Sequence, residues 1–224
     1  MKRILCFGDS NTYGLAFSPE KGPYRLDEEH RWTCLLQKEL GPEYRIIEEG
    51  LNGRTTAYDV PASDTPPLFD APNFASRNGA AFLPMCLESH SPLDLVILNL
   101  GTNDSTKLFG LGTPDIVEGM RTLVEIVRAK PPVMVFPTPR ILIIAPVPLS
   151  PLAMKDAMMT DEGALKRSAE LAGEYEKLAE ELACDFFDLN TIPCHELVDG
   201  VHLTEESHAA AAHALAEKIR SLAL

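Results

Sequence analysis

The sequence is poor in basic residues, and this shortage excludes several classes of partner. It has 20 Lys and Arg against 33 Asp and Glu, which gives a formal net charge of -13 at pH 7 over 224 residues. Nucleic-acid binding needs clustered basic side chains that neutralise phosphates, and an acidic surface is repelled by anionic membranes. We therefore expect neither a nucleic acid nor a membrane as a partner.

Cysteines are few and widely spread, and no two of them form a Cys-x-x-Cys pair. Isolated cysteines in odd number are typical of free thiols in a reducing compartment, not of a disulfide framework or a zinc site. The five cysteines stand at positions 6, 34, 86, 184 and 194. This usage predicts a cytoplasmic protein.

Long apolar runs are also missing. Lys2 and Arg3 precede an apolar run, but Asp9 ends that run too early for the core of a signal peptide. No other run approaches the length of a membrane-spanning helix. This pattern also favours a cytoplasmic location.

The chain does have a regular alternation of short apolar strands and amphipathic helices. With 45% hydrophobic residues, the whole chain 1–224 is expected to form one domain with a substantial core. Strands that alternate with helices need crossover connections, so we expect a parallel, doubly wound sheet in a three-layer α/β fold. The five predicted strands span residues 4–7, 44–47, 94–100, 140–145 and 184–189, and the predicted helices span about 31–40, 79–90, 113 onward, 161–183 and 204–222.

Three stretches are predicted to be irregular. Residues 17–29 are expected to be a polar loop, and residues 58–77 and 146–160 are long loops of a kind that is often functional. The 146–160 stretch combines three prolines with several Leu and Met. Such side chains either fold back onto their own core or form an interface or ligand groove. We expect the two long loops to narrow a pocket, partly through self-association into a homo-oligomer.

The first predicted strand ends in Gly8-Asp9-Ser10-Asn11. By itself this is an ordinary turn, because Gly, Asp, Ser and Asn all favour turns. Its position is more informative, since Ser10 follows the carboxyl end of a strand, where open α/β sheets place their ligands.

Chemically complementary residues follow other predicted strands at the same edge. The segments there carry Gly53, Asn103 and the pair Asp199 and His202. A serine hydroxyl needs a base that removes its proton; His202 can act through one ring nitrogen while Asp199 accepts from the other. Together with oxyanion donors, these are the parts of an acyl-transfer site. Each part also has a structural alternative: a turn at Asp199, a hydrogen-bonded core position for His202, a turn cap for Asn103, and a backbone bend at Gly53.

These blocks together resemble the SGNH hydrolase superfamily, the GDSL-type esterases. The resemblance rests on Gly8-Asp9-Ser10, Gly53, Gly101-Thr102-Asn103-Asp104 and Asp199-Gly200-Val201-His202, which occur in the family's order over nearly the whole chain. Asn11 stands where the family name has Leu. The stretch 46–56 and the Arg31-Trp32 helix start are most similar to the bacterial arylesterase/acyltransferase branch, which is associated with homo-oligomers.

The resemblance implies a flavodoxin-like sheet with Ser10 as nucleophile, His202 as base and Asp199 as its orienting acid. It also implies an oxyanion hole formed by the backbone N–H groups of Ser10 and Gly53 and the side-chain amide of Asn103. No metal or other cofactor is expected. Asp104 is expected to stabilise its own turn, and Asp188 to be a structural acceptor.

We therefore expect a serine esterase that hydrolyses short-chain aryl or alkyl carboxylic esters through an acyl-enzyme, with acyl transfer to alcohols as a further outcome. A carbohydrate O-acetyl esterase of the same superfamily is the main alternative. A sugar site favours aromatic platforms and polar contacts, whereas the loops here offer mostly aliphatic residues and methionine: Phe109, Leu111, Leu149, Leu152 and several Met.

Three other classes fit the sequence less well. A flavodoxin-like binding module without catalysis would need phosphate-cradling glycines, and residues 8–14 contain neither a dinucleotide fingerprint nor a Walker lysine. An α/β-hydrolase would need a Gly-x-Ser-x-Gly elbow, which is missing. A metal enzyme would have to use Asp199 and loosely spaced histidines, namely His195, His202 and His208.

Overall fold

The computed structural model describes residues 1–18, 22–60, 76–129, 136–222 and 224. In this part of the chain, the strands are β1 Lys2–Gly8, β2 Leu15–Ser18, β3 Gly22–Arg25, β4 Tyr44–Gly50, β5 Leu95–Asn99, β6 Arg140–Ala145 and β7 Asp185–Asp188. The α-helices are α1 Ser10–Tyr13, α2 Trp32–Leu40, α3 Gly79–His90, α4 Thr113–Arg128, α5 Glu162–Glu181 and α6 Glu205–Ser221. Short 3-10 turns span Lys107–Phe109, Pro151–Lys155 and Leu189–Thr191.

Five strands form one sheet in the order β4-β1-β5-β6-β7, and every neighbouring pair is parallel. All five residues of β5 are buried, as expected for a strand that is covered on both faces. The sequence predicted this five-stranded parallel sheet, and its strands lie within a few residues of the predicted positions.

The sheet separates two hydrophobic cores, because successive side chains of a strand point to opposite faces. On β1, Ile4 and Cys6 face a core closed by α2 and α6. Leu5 and Phe7 face the other core, which α3, α4 and α5 close. Burying one such side chain contributes about 1.5–3 kcal/mol, so both layers of helices hold the strands firmly. The predicted three-layer, doubly wound fold is confirmed.

The strand order creates a crevice at the carboxyl edge of the sheet. From β1 the chain passes outward to β4 and then returns across β1 to β5, so connections leave neighbouring strands in opposite directions. Doubly wound sheets with this order bind ligands at that switch point. The residues that follow β1 and β5, including Ser10 and Asn103, therefore start at the same crevice.

The predicted polar loop 17–29 is partly wrong, because β2 and β3 form an antiparallel hairpin there, with Leu15 opposite Arg25 and Ala16 opposite Tyr24. Each strand has only four residues, too few for a two-residue period to stand out in the sequence. Ala16, a residue of β2, is buried. The hairpin thus forms a wall beside α1 that the sequence did not reveal.

The two long predicted loops have different outcomes. Of the stretch 58–77, residues 61–75 lie outside the described residues. The stretch 146–160 folds back in part onto the core, since Val147, Leu149 and Ala153 are buried. Its Leu152, Met154 and Met158 remain exposed. None of the described helices is long and apolar enough to cross a membrane.

Candidate active site

Ser10 is the first residue of α1, directly beyond the end of β1. Asp9 precedes it as the helix cap, and its Oδ1 accepts a hydrogen bond from Asn11 N at 2.9 Å. Burial raises the pKa of Asp9 to about 6, although the Asn11 N–H lowers it in part. The sharp turn and its cap fix the direction of the Ser10 side chain, which lines a pocket.

A continuous chain of hydrogen bonds joins Ser10, His202 and Asp199. His202 Nε2 lies 3.0 Å from Ser10 Oγ, and His202 Nδ1 lies 2.7 Å from Asp199 Oδ2. These residues come from opposite ends of the chain, so the fold brings together the three that the sequence singled out. In this arrangement the Asp199 carboxylate favours the tautomer with a proton on Nδ1, which leaves Nε2 able to accept the Ser10 proton.

Asp199 also organises its own turn. Its Oδ1 accepts from Val201 N at 2.9 Å and from His202 N at 2.8 Å, so one carboxylate holds both the backbone and the imidazole. Partial burial raises the pKa of Asp199, but the hydrogen bonds and charge of His202 outweigh this effect and leave the pKa below its ordinary value. The carboxylate therefore stays ionised at neutral pH.

Gly200 lets the 146–160 segment approach this turn closely. Its φ is 91°, and a Cβ at this position would lie 2.2 Å from Ala153 N. Only glycine adopts such a backbone without strain. Ser150 N donates to Gly200 O at 3.0 Å, so the 3-10 turn at 151–155 packs against the aspartate–histidine turn.

Three N–H donors surround the pocket near Ser10. Asn103 Nδ2 donates one of its two N–H bonds to Arg54 O at 2.9 Å, which orients the amide and leaves the other N–H available. Gly53 adopts φ 77° in the loop after β4. Within the described residues, the N–H groups of Ser10 and Gly53 donate to no other backbone oxygen. The predicted oxyanion donors thus line one pocket.

Asp104 does more than stabilise its own turn, which corrects the expectation from the sequence. Thr56 N and Thr56 Oγ1 donate to its Oδ1 at 2.9 and 2.5 Å, so it joins the loop after β5 to the loop after β4. Burial raises the pKa of Asp104 to about 6, although Thr56 lowers it in part. This contact fixes the position of the loop that carries Asn103 relative to the loop that carries Gly53.

Asp188 Oδ1 accepts from Asn190 N at 2.9 Å, which fits the structural role predicted for it.

Other contributors were missed because their partners lie far away in sequence. The Arg54 guanidinium is buried, lies 4.0 Å from the centre of the Phe7 ring, and donates to Gly8 O at 3.0 Å. Phe17 of the hairpin places its ring centre 5.3 Å from that of His202. The signal for Arg54 was its place in the stretch 46–56 that resembles the arylesterase branch, and no motif marks Phe17.

The site opens into a cavity of about 670 Å³. Its mouth is partly apolar: Phe17, Leu152 and Val198 line it and are exposed by 37–43%. Polar side chains, including Arg77 and Lys155, line another part. The cavity is large enough for a small ester with both its acyl and alcohol portions.

The other histidines of the conceivable metal cluster are engaged separately. His195 Nδ1 lies 3.0 Å from Ile192 O, and His208 Nδ1 accepts from Trp32 N at 3.3 Å. Among the residues that the structure describes, no group of three or more His, Cys, Asp or Glu side chains is arranged to hold a metal ion.

His208 should make the fold sensitive to acid. Burial lowers its pKa from 6.5 to about 4, with the charges of His202 and Arg31 adding to the effect. Below pH 6.5 the unfolded chain takes up a proton that the folded chain refuses until about pH 4, so stability falls with pH across this window. Between pH 7 and pH 5, we expect the free energy of unfolding of the wild type to fall by about 2 kcal/mol more than that of His208→Gln.

Urea unfolding of wild type and variant at both pH values measures this difference. Asp9 and Asp104 have raised pKa values and oppose the trend, but they are present in both proteins and cancel. His213→Gln on the exposed side of the same helix is the control and should behave like the wild type. Equal pH dependence of the wild type and His208→Gln would contradict the prediction.

A serine, histidine and aspartate joined by hydrogen bonds, with N–H donors beside the serine, is the arrangement that acyl-transfer hydrolases use. Residues 6–210 match the GDSL-like lipase/acylhydrolase family. The chain therefore belongs to this family, and the resemblance seen in the sequence is confirmed. The expectation of a carboxylic ester hydrolase is confirmed with it.

Solved structures with similar folds support the same assignment. A carbohydrate acetylesterase from Sinorhizobium meliloti is 38% identical with a TM-score of 0.87, over 99% of this chain and 100% of that chain. The native aryl esterase of M. smegmatis is 40% identical with a TM-score of 0.86, over 99% of this chain and 100% of that chain. A search of curated proteins finds no match.

Proposed function

We propose that this protein is a serine esterase that hydrolyses short-chain aryl or alkyl esters through an acyl-enzyme formed on Ser10. The observation that carries the proposal is the hydrogen-bonded chain from Ser10 Oγ through His202 to Asp199 at the wall of a cavity. We also propose that residues 1–224 form one domain, which the two cores on a single sheet support.

The mechanism follows from the geometry. His202 Nε2 takes the proton as Ser10 Oγ attacks the ester carbonyl, and Asp199 stabilises the imidazolium that forms. The N–H groups of Ser10 and Gly53 and the Asn103 amide are positioned to donate to the oxyanion. His202 then protonates the departing alcohol, and water attacks the acyl-enzyme with His202 again as base. Side chains and backbone fill every role, so the mechanism assigns none to a metal or other cofactor.

The apolar mouth supports a preference for small apolar esters. Phe17 lies beside His202, which protonates the leaving alcohol and activates the acceptor in this mechanism, so we infer that the Phe17 ring faces both groups. An apolar wall there limits water near the acyl-enzyme, so short-chain alcohols compete with water and acyl transfer accompanies hydrolysis. The likeness to the M. smegmatis aryl esterase supports an aryl ester as substrate.

A carbohydrate O-acetyl esterase is the second candidate. It is favoured by the polar part of the cavity, where Asn52, Arg77 and Thr106 line the wall, and by the likeness to the Sinorhizobium acetylesterase. Both candidates share the same catalytic residues and differ only in the leaving alcohol. Rates of hydrolysis of aryl acetates and of sugar acetates therefore distinguish the two candidates.

We further propose that copies of the chain associate through the mouth of the cavity. Leu152 lines that mouth, and Met154 and Met158 are exposed close to lining residues in the same 146–160 segment. Methionine is an adaptable contact residue. Contiguous apolar side chains of this kind mark an interface or a ligand groove.

A cytoplasmic location is proposed as well, supported by the absence of disulfides among the five cysteines, all of which lie in the described residues.

A substrate panel tests the proposed function. We expect aryl acetates to be hydrolysed faster than sugar acetates. We also expect kcat/KM to fall by about 10-fold or more from acetyl to octanoyl esters, because a narrowed pocket excludes a long acyl chain sterically. Faster turnover of sugar acetates would select the second candidate. Hydrolysis of none of these esters would contradict the proposal altogether.

The same panel tests the association when it is run on two matched variants. Met158 and Met85 are exposed by 61% and 60%. Met158 lies in the 146–160 segment between the cavity-lining residues Asp156 and Met159, whereas Met85 lies on α3, which contributes none of the described lining residues. Light scattering should show an assembly of two or more chains for the wild type and Met85→Glu. Met158→Glu should dissociate and accept longer acyl chains. A monomeric wild type that prefers long acyl chains would refute this part.

A further inference from the structure

The side chain of Asn11 binds both peptide groups that flank His202. Its Nδ2 donates to Val201 O at 3.1 Å, and its Oδ1 accepts from Leu203 N at 2.9 Å. Val201 O belongs to the peptide bond before His202, and Leu203 N to the one after it. One planar amide therefore holds the backbone on each side of the histidine.

Asn11 is itself held rigidly. It is only 7% exposed, its N–H donates to Asp9 Oδ1, and its carbonyl accepts from Trp32 Nε1 at 3.2 Å. It also directly follows Ser10 in the first turn of α1. The side chain that holds the His202 backbone is thus attached to the backbone that carries the nucleophile.

We propose that Asn11 is a positioning residue that sets the distance and direction between Ser10 and His202. This inference rests on the proposed function. Ser10 and His202 are 192 positions apart, and their 3.0 Å hydrogen bond changes direction when the proton moves and is lost when the serine is acylated. The Asn11 bonds are independent of those steps, so they keep the histidine aligned throughout the cycle.

The remaining contacts of the turn leave this task to Asn11. Asp199 holds the inner side of the turn through Val201 N and His202 N, and Ser150 N holds Gly200 O. These bonds fix the shape of the turn and its place against the 146–160 segment. Among the described contacts of residues 199–203, it is the Asn11 side chain that links the turn's backbone to the helix of Ser10.

Asn11→Leu tests the proposal with a side chain that has the same number and branching of heavy atoms. Leucine neither donates nor accepts, so the two peptide groups lose their partner and His202 samples other orientations. We expect kcat per active site to fall about 10- to 100-fold with little change in KM, as misplacement by an ångström does. The active sites are counted by phosphonate labelling, so that unfolded protein does not enter the rate.

Gln37→Met is the matched structural control. The Gln37 amide binds backbone groups of the α2–β4 connection, with Nε2 donating to Tyr44 O at 3.0 Å and Oε1 accepting from Ile46 N at 2.8 Å. None of these three residues is among the described residues that line the cavity. Its loss should lower the melting temperature to a similar degree as Asn11→Leu while kcat stays at the wild-type value.

Asn11→Asp provides a graded second variant. Its carboxylate still accepts from Leu203 N but cannot donate to Val201 O, so kcat at alkaline pH should lie between wild type and Asn11→Leu. The added negative charge favours the imidazolium of His202, which should move the acidic limb of kcat/KM to higher pH. If Asn11→Leu does not fold, the kcat and pH profile of Asn11→Asp test whether Asn11 positions His202.

A spectroscopic measurement separates this proposal from the proposed function. The downfield proton NMR signal of His202 Nδ1–H reports its bond to Asp199 without any substrate. We expect it to shift or broaden in Asn11→Leu and to stay unchanged in Gln37→Met. An unchanged signal together with kcat within twofold of wild type in both Asn11 variants would overturn the proposal. Inactivity of the wild type with a perturbed signal in Asn11→Leu would overturn only the proposed function.

Discussion

Ser10→Ala is expected to lower kcat on an activated acetate ester by about 10⁴-fold or more. The variant loses the only atom that can form the acyl-enzyme in the proposed mechanism. His202 Nε2, which lies 3.0 Å from Ser10 Oγ, is then left with no hydroxyl to deprotonate. The loss should appear in kcat and not in KM, because alanine leaves the cavity open to the substrate.

Two further measurements make this prediction sharp. A serine-directed phosphonate should add its mass to the peptide that contains Ser10 and to no other peptide. The double variant Ser10→Ala/His202→Ala should be no slower than either single variant, because residues that act as one unit are strongly non-additive. Ser221→Ala, an exposed serine on α6, is the control and should keep full activity. Labelling of another serine would remove Ser10 from the mechanism.

Asn103→Ala carries the second largest expected effect, a loss of about 100- to 1000-fold in kcat. The amide is oriented in advance by its 2.9 Å bond to Arg54 O and so donates to the oxyanion without reorganisation. An interaction that forms only as charge develops on the oxygen stabilises the transition state more than the substrate. KM should therefore change little.

Binding of a tetrahedral boronate tests the same claim without turnover. Its affinity for Asn103→Ala should fall by about the factor lost in kcat/KM, whereas the affinity for a product carboxylate should not. Asn103→Asp has the same shape but places a negative charge beside the oxyanion, so it should be slower still than the alanine variant. A change confined to KM would instead assign Asn103 to substrate binding.

The fold could be predicted closely because strong local patterns specify it. The apolar runs that became β1, β5 and β6 are short, continuous and bounded by turn residues, which is the pattern of strands covered on both faces. The β2–β3 hairpin could not be predicted in the same way. Its strands of four residues carry little periodicity, and the burial of Ala16 and Leu26 arises only in the folded chain.

The residues of the candidate site also differ in whether a local pattern or a distant contact marks them. The sequence pointed to Ser10, Asn103 and His202 because each belongs to a short local motif at the end of a predicted strand. Their catalytic roles stay a prediction until the variants are measured. Asn11 and Arg54 lie in stretches that the sequence analysis considered, but nothing local assigned a role to either, and Phe17 lies in no motif. The partners of all three lie tens to nearly two hundred positions away in the chain.

The sequence by itself determined the α/β class, the parallel sheet and the four loops that carry the chemistry, because strand periodicity, turn residues and capping act over a few neighbouring positions. Only the tertiary structure decided how those loops are held together. The binding of Asn11 to both sides of His202, the bond from Thr56 to Asp104, and the packing of Ala153 against Gly200 each join segments distant in the chain. Such contacts depend on distances between folded elements, which no local pattern of residues encodes.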